Sequence, residues 1–257
     1  MCGLCGIIFG KAERTSGDYA KLRSAFTRLL ALNEARGKDA VGMAVILDDF
    51  DYYLLKRPGR AISLIGLQEY YDRLHAVDDH ATLLMGHTRQ ATVGKIERMD
   101  NAQPLRAGVC MGTVNGTITN ADELFRKHKL PRFAEVDSEL LIRLADRHIV
   151  NNDIALQHFI PALKTCHGHF SAVIANLVNL GQILLLKGNR PLTAYYHEGL
   201  NVVAYSSESR HLDRALSDLN GWYDLNLKPM TYAVFDVENL SNPKTGNFTF
   251  NAHPGRR

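Results

Sequence analysis

The residues best suited to chemistry stand at the start of the chain, in Cys2-Gly3-Leu4-Cys5-Gly6-Ile7. Cysteine is small enough for methionine aminopeptidase to remove Met1 ahead of it, which would leave Cys2 as the N-terminal residue. One residue then carries both a thiol and a free amine. An α-amino group titrates near about 7.7–8.0, so a useful fraction is neutral at pH 7. It can take the proton of its own side chain, the arrangement found in N-terminal threonine nucleophiles. Gly3 and Gly6 let the backbone turn tightly or approach a ligand closely. A Met-Cys start also arises without any function, so the remaining residues have to decide.

Four polar clusters follow, at expected strand ends or in loops: Arg36-Gly37-Lys38-Asp39, Gly86-His87-Thr88-Arg89-Gln90-Ala91-Thr92, Val114-Asn115-Gly116 and Val136-Asp137-Ser138-Glu139. Each has a plain structural reading. Arg36 and Asp39 make a helix-end charge pair, Arg89 a surface arginine, Asn115-Gly116 a hairpin turn, and Asp137 a helix N-cap. Together with Cys2 they also meet the demands of one reaction, hydrolysis of a free glutamine side chain. That reaction needs a guanidinium for the α-carboxylate, which Arg89 supplies. It needs a carboxylate for the α-ammonium, which Asp137 supplies. It needs amide donors for the tetrahedral oxyanion, which Asn115 and Gly116 supply.

The elements that must position these groups read as follows. Residues 4–9 form a short apolar strand. Asp18 caps a helix to about residue 35, with Leu22, Ala25, Phe26, Leu29 and Leu32 at three- and four-residue spacings. Residues 41–47 and 52–56 form a hairpin, 61–76 helix or turns, 83–88 a strand, and 95–103 a polar loop. A strand over 109–114 ends at the Asn115-Gly116 turn. Helices span 120–128, 138–150 and 153–163, then strands 170–177, 182–187, 194–196 and 202–206, a helix 211–219 and a last strand 231–237. The Pro/Gly/Asn-rich residues from 239 read as a loosely held tail. Strands grouped between paired helices, without strict alternation, predict an α+β layered architecture with largely antiparallel sheets.

Composition narrows the function classes. The 257 residues are 46% hydrophobic and 22% charged, with net charge +3. That charge is too small to argue for nucleic acid as the main partner. No apolar run is long enough to span a membrane, and the N-terminus is not a signal peptide. Four cysteines, Cys2, Cys5, Cys110 and Cys166, fit a reducing compartment better than a disulfide scaffold, which predicts a cytoplasmic protein. Cys2-x-x-Cys5 has metal-knuckle spacing but no second pair, and Cys5 falls on the apolar strand. Cys166-His167-Gly168-His169 has no third ligand group nearby in sequence and reads as a turn.

The motifs together resemble the class II glutamine amidotransferases, N-terminal-nucleophile glutaminase domains, with the glucosamine-6-phosphate synthase glutaminase domain as the closest pattern. Cys2-Gly3-Leu4-Cys5-Gly6 resembles the family's opening. Arg36-Gly37-Lys38-Asp39-Ala40-Val41-Gly42 resembles its Arg-Gly-x-Asp-Ser/Ala-x-Gly stretch, and Gly86 to Thr92 its Gly-His-Thr-Arg-Trp-Ala-Thr stretch except at Gln90. Asn101-Ala102-Gln103-Pro104, Asn115-Gly116, Asp137-Ser138-Glu139, Gly188-Asn189-Arg190-Pro191-Leu192 and Ser206-Ser207-Glu208 follow in order. The resemblance covers residues 2 to about 208.

The resemblance implies a four-layer αββα sandwich of the N-terminal-nucleophile hydrolase type over residues 2–240, with 241–257 as a polar C-terminal tail. It implies Cys2 Sγ as nucleophile, its own amine as base, and a γ-glutamyl thioester. Arg89 would bind the glutamine carboxylate and Asp137 its ammonium, with Arg36 also in the substrate-binding set. Asn115 and the Gly116 N–H would form the oxyanion hole, and Thr92 would line the substrate loop. No metal or cofactor is implied. Gln90 stands where the family often has tryptophan and Val93 where it often has histidine, which bears on closure of that loop. With about 20 residues after the last expected strand, no acceptor-binding domain is expected. A separate ammonia-accepting synthetase subunit is therefore expected, touching the loop near residues 95–103. Two rival readings are an N-terminal-nucleophile amidase acting on another amide, and a catalytically silent interaction or regulatory module on the same fold.

Overall fold

The computed structural model describes residues 1–252. The chain opens with β1 (Gly3–Phe9), α1 (Ser16–Asn33), the hairpin β2 (Ala40–Leu47) and β3 (Tyr52–Pro58), α2 (Ala61–Ile65), α3 (Gln68–His75) and β4 (Ala81–Arg89). Then come β5 (Leu105–Ala107), β6 (Cys110–Ile118), α4 (Ala121–Lys127), α5 (Glu139–Arg147), a small hairpin β7 (Ile149–Val150) and β8 (Asp153–Ile154), and α6 (Leu156–Leu163). The last third holds β9 (His167–Asn176), β10 (Ile183–Lys187), β11 (Thr193–His197), β12 (Val202–Ser206), α7 (Ser209–Ala215), β13 (Trp222–Asp224), β14 (Thr231–Asp236), β15 (Asn239–Asn247) and β16 (Asn251–Ala252).

Two sheets stack face to face. One runs β13-β11-β12-β1-β4-β2-β3 and the other β15-β14-β10-β9-β6-β5, all antiparallel, with β16 added parallel to β9. Alternation along each central strand divides its side chains between two layers. In β1, Cys5, Ile7 and Phe9 face α1, where they meet Leu22, Phe26 and Leu29. Leu4 and Ile8 face the second sheet, where they join Met111, Val173 and Leu185. The outer face of the second sheet carries Val114, Phe170 and Ile174 against Leu140, Leu144 and Phe159 of α5 and α6. Strands buried on both faces read as continuous apolar runs, which is why 4–9 and 183–187 were identifiable as strands. The result is the expected four-layer αββα sandwich.

Four local expectations need correction. The cap of α1 is Thr15, whose hydroxyl accepts from the Asp18 N–H, while Asp18 returns a bond to the Thr15 N–H at 2.9 Å. Asp18 is thus the third residue of a capping box. Asn115-Gly116 is no turn: β6 runs through it, pairing Asn115 with Ser171 and Gly116 with Phe170. Asp137 does not cap α5; Ser138 holds the N-cap position without a side-chain bond. The residues expected as a loose tail instead form β15, paired with β14, and Phe248 and Phe250 are buried against Phe170. The remaining residues of that expected tail, 253–257, lie outside the described residues.

Candidate functional site

Cys2 is the last residue before β1, and several side chains from distant elements fix its peptide. Gly3 has no room for a side chain: a Cβ there would lie 2.6 Å from Thr88 Oγ1 and 2.8 Å from Asn33 Oδ1. Thr88 Oγ1 donates to the Asn33 carbonyl at 2.7 Å, and Asn33 Nδ2 donates to Ser206 Oγ at 3.1 Å. The Leu4 N–H donates to Ser207 Oγ at 2.9 Å, and the Ser207 N–H returns a bond to the Leu4 carbonyl. The start of β1 is therefore held by its flanking strands and the end of α1 together.

The Cys2 carbonyl is held in turn. Arg36 Nε donates to it at 2.8 Å. Asn115, with its amide oriented to satisfy both ends, donates from Nδ2 to the same oxygen at 3.2 Å and accepts from Arg36 at 3.3 Å. Arg36 forms an ion pair with Glu208. Arg36, from the turn after α1, and Asn115, from β6 in the second sheet, thus converge on one carbonyl, with Glu208 from the turn after β12 holding Arg36.

Cys2 Sγ lies 3.6 Å from the Gln90 carbonyl. Burial pushes the thiol above its ordinary pKa; a backbone hydrogen bond with Gln90, the Met1 ammonium and the Arg89 guanidinium oppose that rise, and Asp137 adds to it. A thiol in this setting is protonated at neutral pH and requires a base before it can attack. Asp137 is itself buried, which raises its carboxyl above the ordinary value, and the Ile118 N–H, at 2.5 Å, is the foremost group opposing that rise. The continuation of β6 through Ile118 supplies this donor.

Arg89 ends β4 and turns its guanidinium into the following loop. It donates to the carbonyls of Val93 at 2.7 Å, Gly94 at 3.0 Å and Lys95 at 3.3 Å. The loop has two further anchors. Asp39 Oδ2 accepts from the Ala91 N–H at 2.7 Å and from Gln90 Nε2 at 3.0 Å. Glu135 Oε2 accepts from the Lys95 N–H at 2.9 Å and from Asn101 Nδ2 at 2.7 Å, and Asn101 also donates to the Lys95 carbonyl. Gln90 is therefore an anchoring residue here, bonded through side chain and backbone.

The structure brings Cys2, Arg36 and Asn115 into direct contact, with Arg89 and Asp137 close enough to act on the Cys2 thiol through charge. Gly116 lies beside Asn115 at φ 149°, where a Cβ would meet the His169 carbonyl oxygen at 1.9 Å. Thr92 is exposed on the loop. Arg36 reaches the Cys2 carbonyl and Glu208 rather than open space. Sequence reasoning gave Asp39 only a helix-end pairing with Arg36, whereas Arg36 pairs with Glu208 and Asp39 binds residues 90 and 91; it assigned no role to Asn101, Glu135 or Glu208. Asp39, Asn101 and Glu208 lie inside the motifs and so carried a signal, whereas Glu135 carried none. Cys5 is buried in β1, and all four cysteines are free. Among the described residues, no group of three or more His, Cys, Asp or Glu side chains is placed to hold a metal, and no helix is long and apolar enough to cross a membrane.

No protein-family model matches the chain. A 7-cyano-7-deazaguanine synthase of Sulfolobus acidocaldarius is 24% identical over 217 residues, 83% of this chain and 44% of that protein. A glutamine–fructose-6-phosphate aminotransferase (isomerizing) of Staphylococcus epidermidis is 28% identical over 208 residues, 79% of this chain and 32% of that protein. The chain thus spans less than half the length of either relative. Among solved structures, the glutamine phosphoribosylpyrophosphate amidotransferase from B. subtilis superposes with TM-score 0.68 at 20% identity, covering 96% of this chain and 49% of that one. An allosteric regulatory enzyme of purine biosynthesis superposes with TM-score 0.70 at 18% identity, covering 98% and 50%. The chain shares the fold of these two solved structures, and over about four-fifths of its length it resembles in sequence glutamine-using enzymes such as the glutamine–fructose-6-phosphate aminotransferase.

Proposed function

We propose that the chain is a glutaminase in which Cys2, freed of Met1, releases ammonia from glutamine. The observation that carries this reading is the convergence of Arg36 and Asn115 on the Cys2 carbonyl, with Arg89 and Asp137 flanking the thiol. Removal of Met1 converts the Cys2 peptide nitrogen into an amine. The amine takes the Sγ proton, and the thiolate attacks the glutamine Cδ. The second Nδ2 hydrogen of Asn115 and the Gly116 N–H stabilise the oxyanion. The C–N bond breaks as the amine's proton passes to the departing nitrogen, leaving ammonia and a γ-glutamyl thioester. Water, deprotonated by the same amine, hydrolyses the thioester to glutamate. The Arg89 guanidinium takes the substrate carboxylate and Asp137 its ammonium. Arg36 holds Cys2 and Asn115 in register, and Thr92 lines the loop that covers the substrate.

The acceptor of the ammonia belongs to a separate synthetase subunit in this reading. The names of the relatives point to two acceptor chemistries, a sugar phosphate and a deazaguanine. The anchored loop is the natural contact, because Val93 and Ile96 are exposed on it and Phe133, whose carbonyl is bound by Arg98 at 2.7 Å, is exposed beside it. Four free thiols fit a reducing, cytoplasmic setting. A chain that kept Met1 would carry a peptide nitrogen at Cys2 and no base for its thiol, which is the silent-module reading. Glutamate release by chain of verified N-terminal mass, measured against asparagine and simple amides, tests the proposal. Turnover of glutamine alone supports it, and turnover of another amide in preference overturns it.

A further inference from the structure

The C-terminal end of α1, the 34–36 turn and α7 enclose a groove of about 480 Å³ that the proposed reaction does not use. Its lining includes Glu34, Lys38, Arg210, His211 and Arg214. The two carboxylates nearby are engaged elsewhere. Glu34 accepts from Arg60 Nε at 2.8 Å, from Arg60 Nη2 at 2.6 Å and from the Ile62 N–H at 3.2 Å. Glu208 pairs with Arg36 through one oxygen, and its other oxygen lies 3.9 Å from Arg210 Nε. Among the described residues, no ion pair involves Lys38 or Arg214.

A second observation points the same way. His211 is 4% exposed, lines this groove, and has a buried Nδ1 without a hydrogen-bond partner. A buried polar atom left unpaired is uncommon, and this one lies in a side chain that walls the cationic groove. The carbonyl end of α1 carries the negative end of its dipole, and its last three carbonyls already accept hydrogen bonds. Ala31 and Leu32 carbonyls take the Glu34 N–H, and the Asn33 carbonyl takes Thr88 Oγ1.

Two guanidinium groups and an ammonium around one concavity suit a tetrahedral dianion with several acceptor oxygens. The volume exceeds what a bare phosphate needs and falls in the range of small-molecule sites. We propose that this groove binds a phosphate monoester of a small metabolite, with Lys38, Arg210 and Arg214 on the phosphoryl oxygens and His211 at the wall. Arg210 also links the groove, through Glu208 and Arg36, to the Cys2 carbonyl.

The test is calorimetric titration of the full chain with ribose 5-phosphate and, separately, with inorganic phosphate, in low salt. Saturable binding is expected, tighter for the ester. The double variant Lys38→Gln, Arg214→Gln weakens it at least tenfold, while Lys228→Gln, distant from the groove, leaves it within twofold. Both substituted residues are exposed, and an unchanged melting transition verifies the fold. Absence of saturable binding, or a loss under threefold in the double variant, overturns the proposal. Equal affinity for the two probes overturns its monoester part and leaves a free-phosphate site.

Discussion

Removing the Glu208 carboxylate tests the brace behind Cys2. Arg36 and Glu208 form an ion pair in which the side chains are 7% and 27% exposed. Exposed pairs contribute about 0.2–1 kcal/mol, and stripping one partner from a fully buried pair costs about 3–5 kcal/mol. Glu208 keeps some contact with water, so Glu208→Ala falls between these limits, at about 2 kcal/mol. For a chain of this size that lowers Tm by about 4–8 °C. Glu208→Gln retains the volume and an acceptor and loses about half as much. The functional effect runs through Arg36, which would keep only the Cys2 carbonyl and Asn115 as partners. Loss of an oxyanion donor costs about 10²–10³ in rate, and a donor loosened but not removed loses a fraction of that. We expect kcat for glutamate release to fall about tenfold with KM nearly unchanged. Urea unfolding and steady-state glutaminase assays read both quantities, and a double-mutant cycle with Arg36→Met isolates the pair. A Glu208→Ala chain that unfolds within about 0.5 kcal/mol of the parent, the range of ordinary surface changes, and turns over at the parental rate refutes this reasoning.

Further outcomes follow from the same geometry. Asn115→Ala should reduce kcat by about 10²–10³ with a small change in KM, read by initial rates over a glutamine series. Gly116→Ala places a methyl against the His169 carbonyl at positive φ; it should cost about 3 kcal/mol or more in urea unfolding, or abolish soluble expression. Asp39→Ala removes two bonds to residues 90 and 91; it should raise the glutamine KM and speed amide hydrogen exchange across 90–98 by about tenfold. His87 is fully buried, and burial pulls its pKa down to about 3. The unfolded chain therefore binds a proton below about pH 6.5 that the folded chain refuses. Its contribution is complete above that pH and is lost as pH falls toward 3, so wild type should lose stability between pH 6 and 4 more steeply than His87→Gln.

Much of the fold is legible because its central strands are buried on both faces. Residues 4–9 and 183–187 announce themselves as apolar runs, and α1 by the spacing of Leu22, Phe26 and Leu29. Apart from the cap of α1, where Thr15 and Asp18 form a local capping box, the misreadings share a cause: local chemistry was overruled by a distant partner. Asn115-Gly116 is a turn signal by itself, but β9 pairs with both residues and carries β6 on to Ile118, which then binds Asp137. Asp137 reads as a cap from its position before α5, yet its carboxylate faces that strand end. The polar residues of β15 look unstructured because an edge strand exposes most of its side chains, and only Leu240, Phe248 and Phe250 betray the burial. At the candidate site, the motifs marked Cys2, Arg36, Arg89, Asn115 and Asp137. The grip of Glu135 on Lys95, 40 residues away, has no local signature.

The central claim is that Cys2 acts through its own amine. The measurement that addresses it most directly is glutamate release by two preparations resolved by intact mass, one lacking Met1 and one retaining it. The account predicts stoichiometric glutamate and ammonia from the Met1-free chain, and a rate at least about 10²-fold lower when Met1 blocks the base. Equal rates from the two preparations, or no glutamate from the Met1-free chain alone or with candidate synthetase subunits, would contradict it.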